Sequence, residues 1–140
     1  MIYIDLSKAF DRVRHQPLLF DLHAAGVRGT ALAWFASYLS GRYQRVASSD
    51  GTSSYLPVTR GVPQGSVLGP MLFNLYVAHL PQIARQRAST LLMFADDKAL
   101  YSSHQCPTVA AAVASTVLNA ISSSLALKGL SINEVKLLRS

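Results

Sequence analysis

The 140-residue sequence predicts an α+β domain: an antiparallel sheet with helices packed on one face. Strand-like runs and helical stretches follow one another without the regular strand–helix alternation of a parallel sheet. Two hairpin signals, around Asp50-Gly51 and around Asp96-Asp97, require antiparallel pairing. Half of the residues are hydrophobic, enough for one core spanning residues 1–140 as a single domain.

Residues 1–5, MIYID, read as a buried strand ending on Asp5. Residues 16–25 and 29–40 read as two helices separated by Gly26 and Gly29, with Leu, Phe, Trp and Ala on their inner faces and Gly41 as the stop of the second. RYQRVAS (42–48) and SYLPVT (54–59) flank SDGTS as a hairpin, and Pro57 confines its strand to a sheet edge. RGVPQGSVLGP (60–70) is a Gly- and Pro-rich loop, with Ser66 as the cap of the helix it opens into, MLFNLYVAHL, which Pro81 ends. LLMF and KALYSS form a tight hairpin about Asp96-Asp97. A helix over 107–127 and an extended segment, GLSINEVKLL, complete the chain.

Residues 109–127 are uncharged, which raises a membrane span. However, the large residues Val109, Val113, Val117, Ile121 and Leu125 recur every four positions, with Ala, Ser, Thr and Asn between them. That stripe predicts a helix with one face on a core, not a span. The chain opens with an apolar run of only four residues before Asp5, unlike a secretory signal, and nothing in it directs the protein to nucleus or cytoplasm.

One cysteine, Cys106, excludes an internal disulfide and a Cys-rich zinc site. The histidines, His15, His23, His79 and His104, lack the spacing of a metal site. Thirteen Lys and Arg against seven Asp and Glu leave a net charge of +6, which suits nucleic acid but is also common in basic domains without one.

The chemistry lies in the carboxylates. Asp96 and Asp97 interrupt two apolar runs, and ionised carboxylates there are costly unless paired or metal-bound. A plain turn is one reading, because Asp favours turns. The other is convergence with Asp5, should the two strands be neighbours. Otherwise Asp5 is a cap or a surface residue. Converging carboxylates repel one another without cations, and oxygen-only ligands favour Mg²⁺. Carboxylates around two Mg²⁺ ions are the equipment of phosphoryl transfer. In the loop, Gly61 and Gly65 allow the backbone to approach a ligand to which Gln64 offers its amide; alternatively the loop is a connector. No phosphate-loop or dinucleotide fingerprint is present.

Taken together, YIDLSKAFDRV (3–13), GVPQGSVLGPMLFNLYVAHLP (61–81) and FADDKALYSS (94–103) closely resemble three successive motifs of the reverse transcriptase palm domain, of the non-LTR retrotransposon type. GVRGTALAWFASYLSGRYQRV between them is similar as well. The resemblance implies a palm-like fold and an RNA-directed DNA polymerase acting on an RNA template, a DNA primer and dNTPs. It implies two Mg²⁺ ions, with Mn²⁺ able to substitute. By resemblance, Asp5, Asp96 and Asp97 carry the metals, with the backbone carbonyl of Leu6. One metal would activate the primer 3′-OH and the other would stabilise the triphosphate and leaving pyrophosphate.

The resemblance also places Phe10 under the nucleotide sugar, Gln64 and Gly65 against nucleotide and template, and Lys136 as proton donor to pyrophosphate. Phe10 also suits an ordinary core, and Lys136 an ordinary surface. Arg42, Arg45 and Arg60 are placed to meet nucleic-acid phosphates, or else to keep an edge strand solvated. Fingers and thumb are expected on a longer parent chain, and a non-catalytic remnant that at most binds nucleic acid is the alternative. Three positions depart from the family pattern: Lys98, where a small or uncharged residue is usual and which could pair with Asp97 in competition with a metal; Leu137, where threonine is usual; and Arg14, where an aromatic residue is common.

Overall fold

The computed structural model describes residues 1–94 and 97–137, without the side chains of residues 134, 136 and 137. The chain runs through β1 (Ile2–Leu6), a 3-10 turn (Phe10–Arg12), α1 (His15–Ala24) and α2 (Gly29–Leu39). A ribbon follows: β2 (Tyr43–Gln44), β3 (Ala47–Ser48), β4 (Gly51–Thr52) and β5 (Leu56–Pro57). Then come α3 (Leu68–Val77), α4 (Leu80–Arg85), β6 (Ser89–Phe94), β7 (Asp97–Ser102), α5 (Pro107–Leu127) and β8 (Ile132–Leu137).

The main sheet is antiparallel, in the order β6-β7-β1-β8. β1 sits inside it because its alternation serves two environments. Ile2, Ile4 and Leu6 are buried, whereas Tyr3 is 40% exposed on the other face. Leu91 and Leu100 continue the buried face on β6 and β7. The same core contains Phe73, Tyr76 and Val77 of α3, Leu18 of α1, and Val117, Ile121 and Leu125 of α5. The open face carries Leu92, Phe94 and Tyr101 as exposed residues. This is the sheet with helices on one face that the sequence predicts.

α5 spans the predicted residues, and its stripe holds from the partly buried Val113 through Leu125, with Val109 exposed at the start. The helix is long and apolar enough to cross a membrane, yet those large residues pack into the core. It ends in a Schellman motif: Leu130 N donates to Leu125 O (2.9 Å) and Gly129 N to Ala126 O (2.9 Å). Leu125 and Leu130 are both buried, so the motif turns the chain directly into β8. A Cβ on Gly129 would come 2.5 Å from Arg14 Nε; Arg14 thus occupies the space beside this turn.

Two local expectations change. Pro81 does not simply end a helix; it lies in the first turn of α4, where its missing N–H has no partner to lose, and α3 begins earlier than expected, at Leu68. The predicted hairpin is a broken ribbon: β2 pairs with β5 and β3 with β4 in registers that differ by one residue, and the tip lies at Ser49-Asp50. Its strands are exposed on both faces, so burial does not enforce one register. Pro57 does lie on an edge, in a two-stranded sheet.

Candidate active site at one end of the central strands

β1 and β7 are neighbours, paired Ile2↔Leu100, Tyr3↔Ala99 and Ile4↔Lys98. The next residue on β1 is Asp5, and the preceding residue on β7 is Asp97. Residues opposite each other share a face, and faces alternate along a strand. Asp5 and Asp97 therefore close the same end of the ladder on the open face of the sheet. Asp5 is half-buried and Asp97 exposed. β6 and β7 pair down to Phe94↔Asp97, and Asp96 falls between them in sequence, outside the described residues. Among the described residues no three His, Cys, Asp or Glu side chains gather into a metal site.

On the other side of β1, the register with β8 runs Asp5↔Glu134 and then Leu6↔Ile132. Asn133 is the extra residue, a bulge opposite the carboxylate end of β1. Its Nδ2 donates to Asp5 Oδ2 at 3.0 Å. Sequence reading passes over Asn133; an asparagine inside an otherwise strand-like run, where it is disfavoured, is the signal available. Lys136 lies on the same strand, opposite Tyr3 in register. Leu6 is buried at the bulge, opposite Ile132.

Lys98 does not sit beside Asp97. Adjacent strand residues face opposite ways, and Lys98 is on the helix-covered face, 1% exposed, with Nζ 5.2 Å from the Phe73 ring centroid. Phe10 stacks on the same Phe73 ring, centroids 4.7 Å apart. Phe10 is thus tied to the core, partly buried.

The Gly- and Pro-rich loop is clamped to the 3-10 turn. Val62 N donates to Phe10 O (3.0 Å) and Gly61 N to Val13 O (2.7 Å). His15 Nε2 lies 2.9 Å from Gly61 O. A Cβ on Gly61 would come 3.0 Å from Asp11 O, so the close approach that this glycine permits is to the protein's own backbone. Ser66 Oγ accepts the Gly69 N–H (3.0 Å) in the first turn of α3, but the N-cap position itself is Val67, one residue after the cap the sequence predicts.

Beside the clamp opens a cavity of about 550 Å³, lined in part by Lys8, Asp11, Arg42, Arg60 and Gln64. Gln64 Nε2 donates to Asp11 Oδ1 at 2.8 Å. Of the predicted residues, Arg42, Arg60 and Gln64 come together here; Asp5, Asp97, Phe10, Gly65 and Arg45 do not line it. Arg45 instead lies over the Tyr55 ring at 5.0 Å, and Arg42 over Tyr38 at 5.7 Å. Lys8 and Asp11, which sequence reading leaves without a role, belong to the cavity.

A model of the reverse transcriptase (RNA-dependent DNA polymerase) family matches residues 1–139. The chain belongs to the reverse transcriptase family. It is 39% identical over 114 residues to the probable RNA-directed DNA polymerase from transposon BS of Drosophila melanogaster, covering 75% of this chain and 12% of that one. The corresponding protein from transposon X-element of the same fly is 36% identical over 107 residues, again 75% of this chain and 12% of that one. Both relatives come from mobile elements, in keeping with the retrotransposon type that the motifs resemble, and this reverse transcriptase chain spans about 12% of the length of each. Its palm-like fold is shared with telomerase from Candida albicans, solved in complex with a fragment of telomeric RNA: TM-score 0.73 and 16% identity, covering 99% of this chain and 27% of that one.

Proposed function

We propose that this chain carries the nucleotidyl-transfer site of a retrotransposon RNA-directed DNA polymerase, joining dNTPs to a primer 3′-OH on an RNA template. The observation that supports it most is the shared end of the β1–β7 ladder, where Asp5 and Asp97 face the same side with Asp96 adjacent in sequence. Oxygen donors of this kind fit hard divalent cations. A divalent cation, if held there by Asp5 and Asp97, would supply positive charge to a phosphoryl transfer. The chain's own residues do the positioning. Asn133 orients Asp5, and the Phe10–Phe73 stack supports the sugar. Gln64 and Gly65 meet the nucleotide, the Leu6 carbonyl would be a further oxygen for the metal, and Lys136 provides the proton for pyrophosphate. Arg42, Arg45 and Arg60 meet phosphates of template or primer.

The test is primer extension on an RNA template with Mg²⁺, comparing the chain with Asp5→Asn and with the Asp96→Ala/Asp97→Ala double variant. Extension by the parent that both variants lose supports the reading; extension retained by the variants ends it.

The cavity with Lys8, Arg42 and Arg60 in its wall, which Asp5 and Asp97 do not line, favours a second reading: a remnant that only binds nucleic acid. Salt-sensitive binding by both parent and double variant, without extension by either, would favour that reading.

A further inference from the structure

The cavity wall contains a contact that the proposed polymerase chemistry does not use. Asp11 and Gln64 are 53 positions apart, yet Gln64 Nε2 lies 2.8 Å from Asp11 Oδ1. Both residues line the cavity. The contact does not rest on two surface side chains alone. Beneath it, the backbone N–H groups of Gly61 and Val62 donate to Val13 O and Phe10 O, and a Cβ on Gly61 would crowd the Asp11 backbone at 3.0–3.3 Å. The backbone clamp therefore fixes the separation that the two side chains span.

The chemistry gives this contact a direction. A glutamine amide has a donor end and an acceptor end of nearly the same shape, and free in solvent it presents either. A carboxylate only accepts. Beside Asp11, the nitrogen of Gln64 is held on the carboxylate, and Oε1 is the end left for a ligand. We propose that Asp11 is a positioning residue that makes Gln64 an oriented hydrogen-bond acceptor in this cavity. Resting on the nucleotide-site reading above, the group it takes is a donor on a nucleotide: a sugar hydroxyl or an exocyclic base amine.

Two measurements on the 140-residue chain test this, using Asp11→Ala and the near-isosteric Asp11→Asn. Asp11 is exposed, so neither variant opens the core. The first measurement is NMR of the Gln64 side-chain amide, identified by its loss in Gln64→Glu. The parent is expected to show two widely separated amide protons, and Asp11→Ala is expected to move them to the values of a free glutamine. Unchanged resonances would overturn the positioning role.

The second is the affinity for dATP, 2′,3′-dideoxy-ATP and dTTP with Mg²⁺. One oriented hydrogen bond corresponds to a preference of about 2–10-fold for the ligand bearing the donor. Preference for dATP over its dideoxy analogue assigns the hydroxyl, and preference for dATP over dTTP assigns the amine. In Asp11→Ala and Asp11→Asn that preference is expected to vanish, because Gln64 can then turn. A preference equal in parent and variants overturns the inference. A parent that binds none of the three overturns the nucleotide reading of the cavity, while the amide resonances still decide the coupling of Asp11 to Gln64.

Discussion

Asn133 holds Asp5. The asparagine is the bulged residue of β8, and its amide reaches the Asp5 carboxylate at 3.0 Å. A bulge re-aims one side chain without disturbing the rest of the ladder, and here the re-aimed side chain orients the carboxylate proposed to bind metal. Residues that orient a metal ligand are commonly worth 10–100-fold in affinity. Asn133→Ala is therefore expected to weaken Mn²⁺ binding to the chain by about 10-fold, as followed by titration calorimetry, because it leaves the Asp5 side chain free to turn. Asn133 is exposed, so the urea midpoint should stay within error of the parent.

Two glycines of the loop separate crowding from conformation. Gly61 has φ +93° and faces Asp11 backbone atoms at 3.0–3.3 Å from a built Cβ, whereas Gly65 has φ +75° and open space. Gly65→Ala is expected to cost only the left-handed penalty, about 1–2 kcal/mol. Gly61→Ala adds crowding against the Asp11 backbone, so its cost should exceed that of Gly65→Ala by about 1 kcal/mol or more in chemical denaturation.

Acid should weaken the fold through His79. Burial first, and then the Lys128 charge, hold its pKa below the ordinary 6.5, against an opposing pull from Asp21. Its Nε2 lies 2.8 Å from Ser124 Oγ, joining the start of α4 to α5. A histidine whose folded pKa is depressed binds fewer protons folded than unfolded, so stability rises with pH between the two values. The contribution is complete above about pH 6.5 and is lost as pH falls through the folded value. Urea midpoints measured from pH 7.5 down to 5 should decline, and the decline should be shallower in His79→Gln.

The stripe of α5 predicts unequal costs along one helix. Ile121 is fully buried, whereas Leu127 is 81% exposed. Ile121→Ala should cost about 2–5 kcal/mol, while Leu127→Ala should stay within about 0.5 kcal/mol. Equal effects in denaturant titrations would show that α5 is not seated on the sheet by this face.

Much of the architecture was legible in the chain because its signals are local. The apolar run before Asp5 marks a strand, although its alternation of buried and exposed positions shows only in the fold, and the four-residue spacing from Val113 to Leu125 marks a helix with one buried face. Both periods are set by backbone geometry over a few residues. The motif order was likewise enough to place the chain among reverse transcriptases. The broken ribbon was not legible, because strands exposed on both faces carry no burial pattern to select a register.

The sequence by itself determined the sheet-and-helix class, the family and the candidate carboxylates. Tertiary structure alone decided which residues meet. Asp5 and Asp97 share an end of the ladder because β1 and β7 are paired there, although 91 residues separate them. Lys98 lies on the covered face because strand alternation, not adjacency in sequence, sets its direction. Asn133 reaches Asp5 through a single bulge, and Gln64 reaches Asp11 across 53 positions because Gly61 lets the two backbones touch. Each of these contacts depends on register or on close approach between distant segments, and neither leaves a trace in local composition.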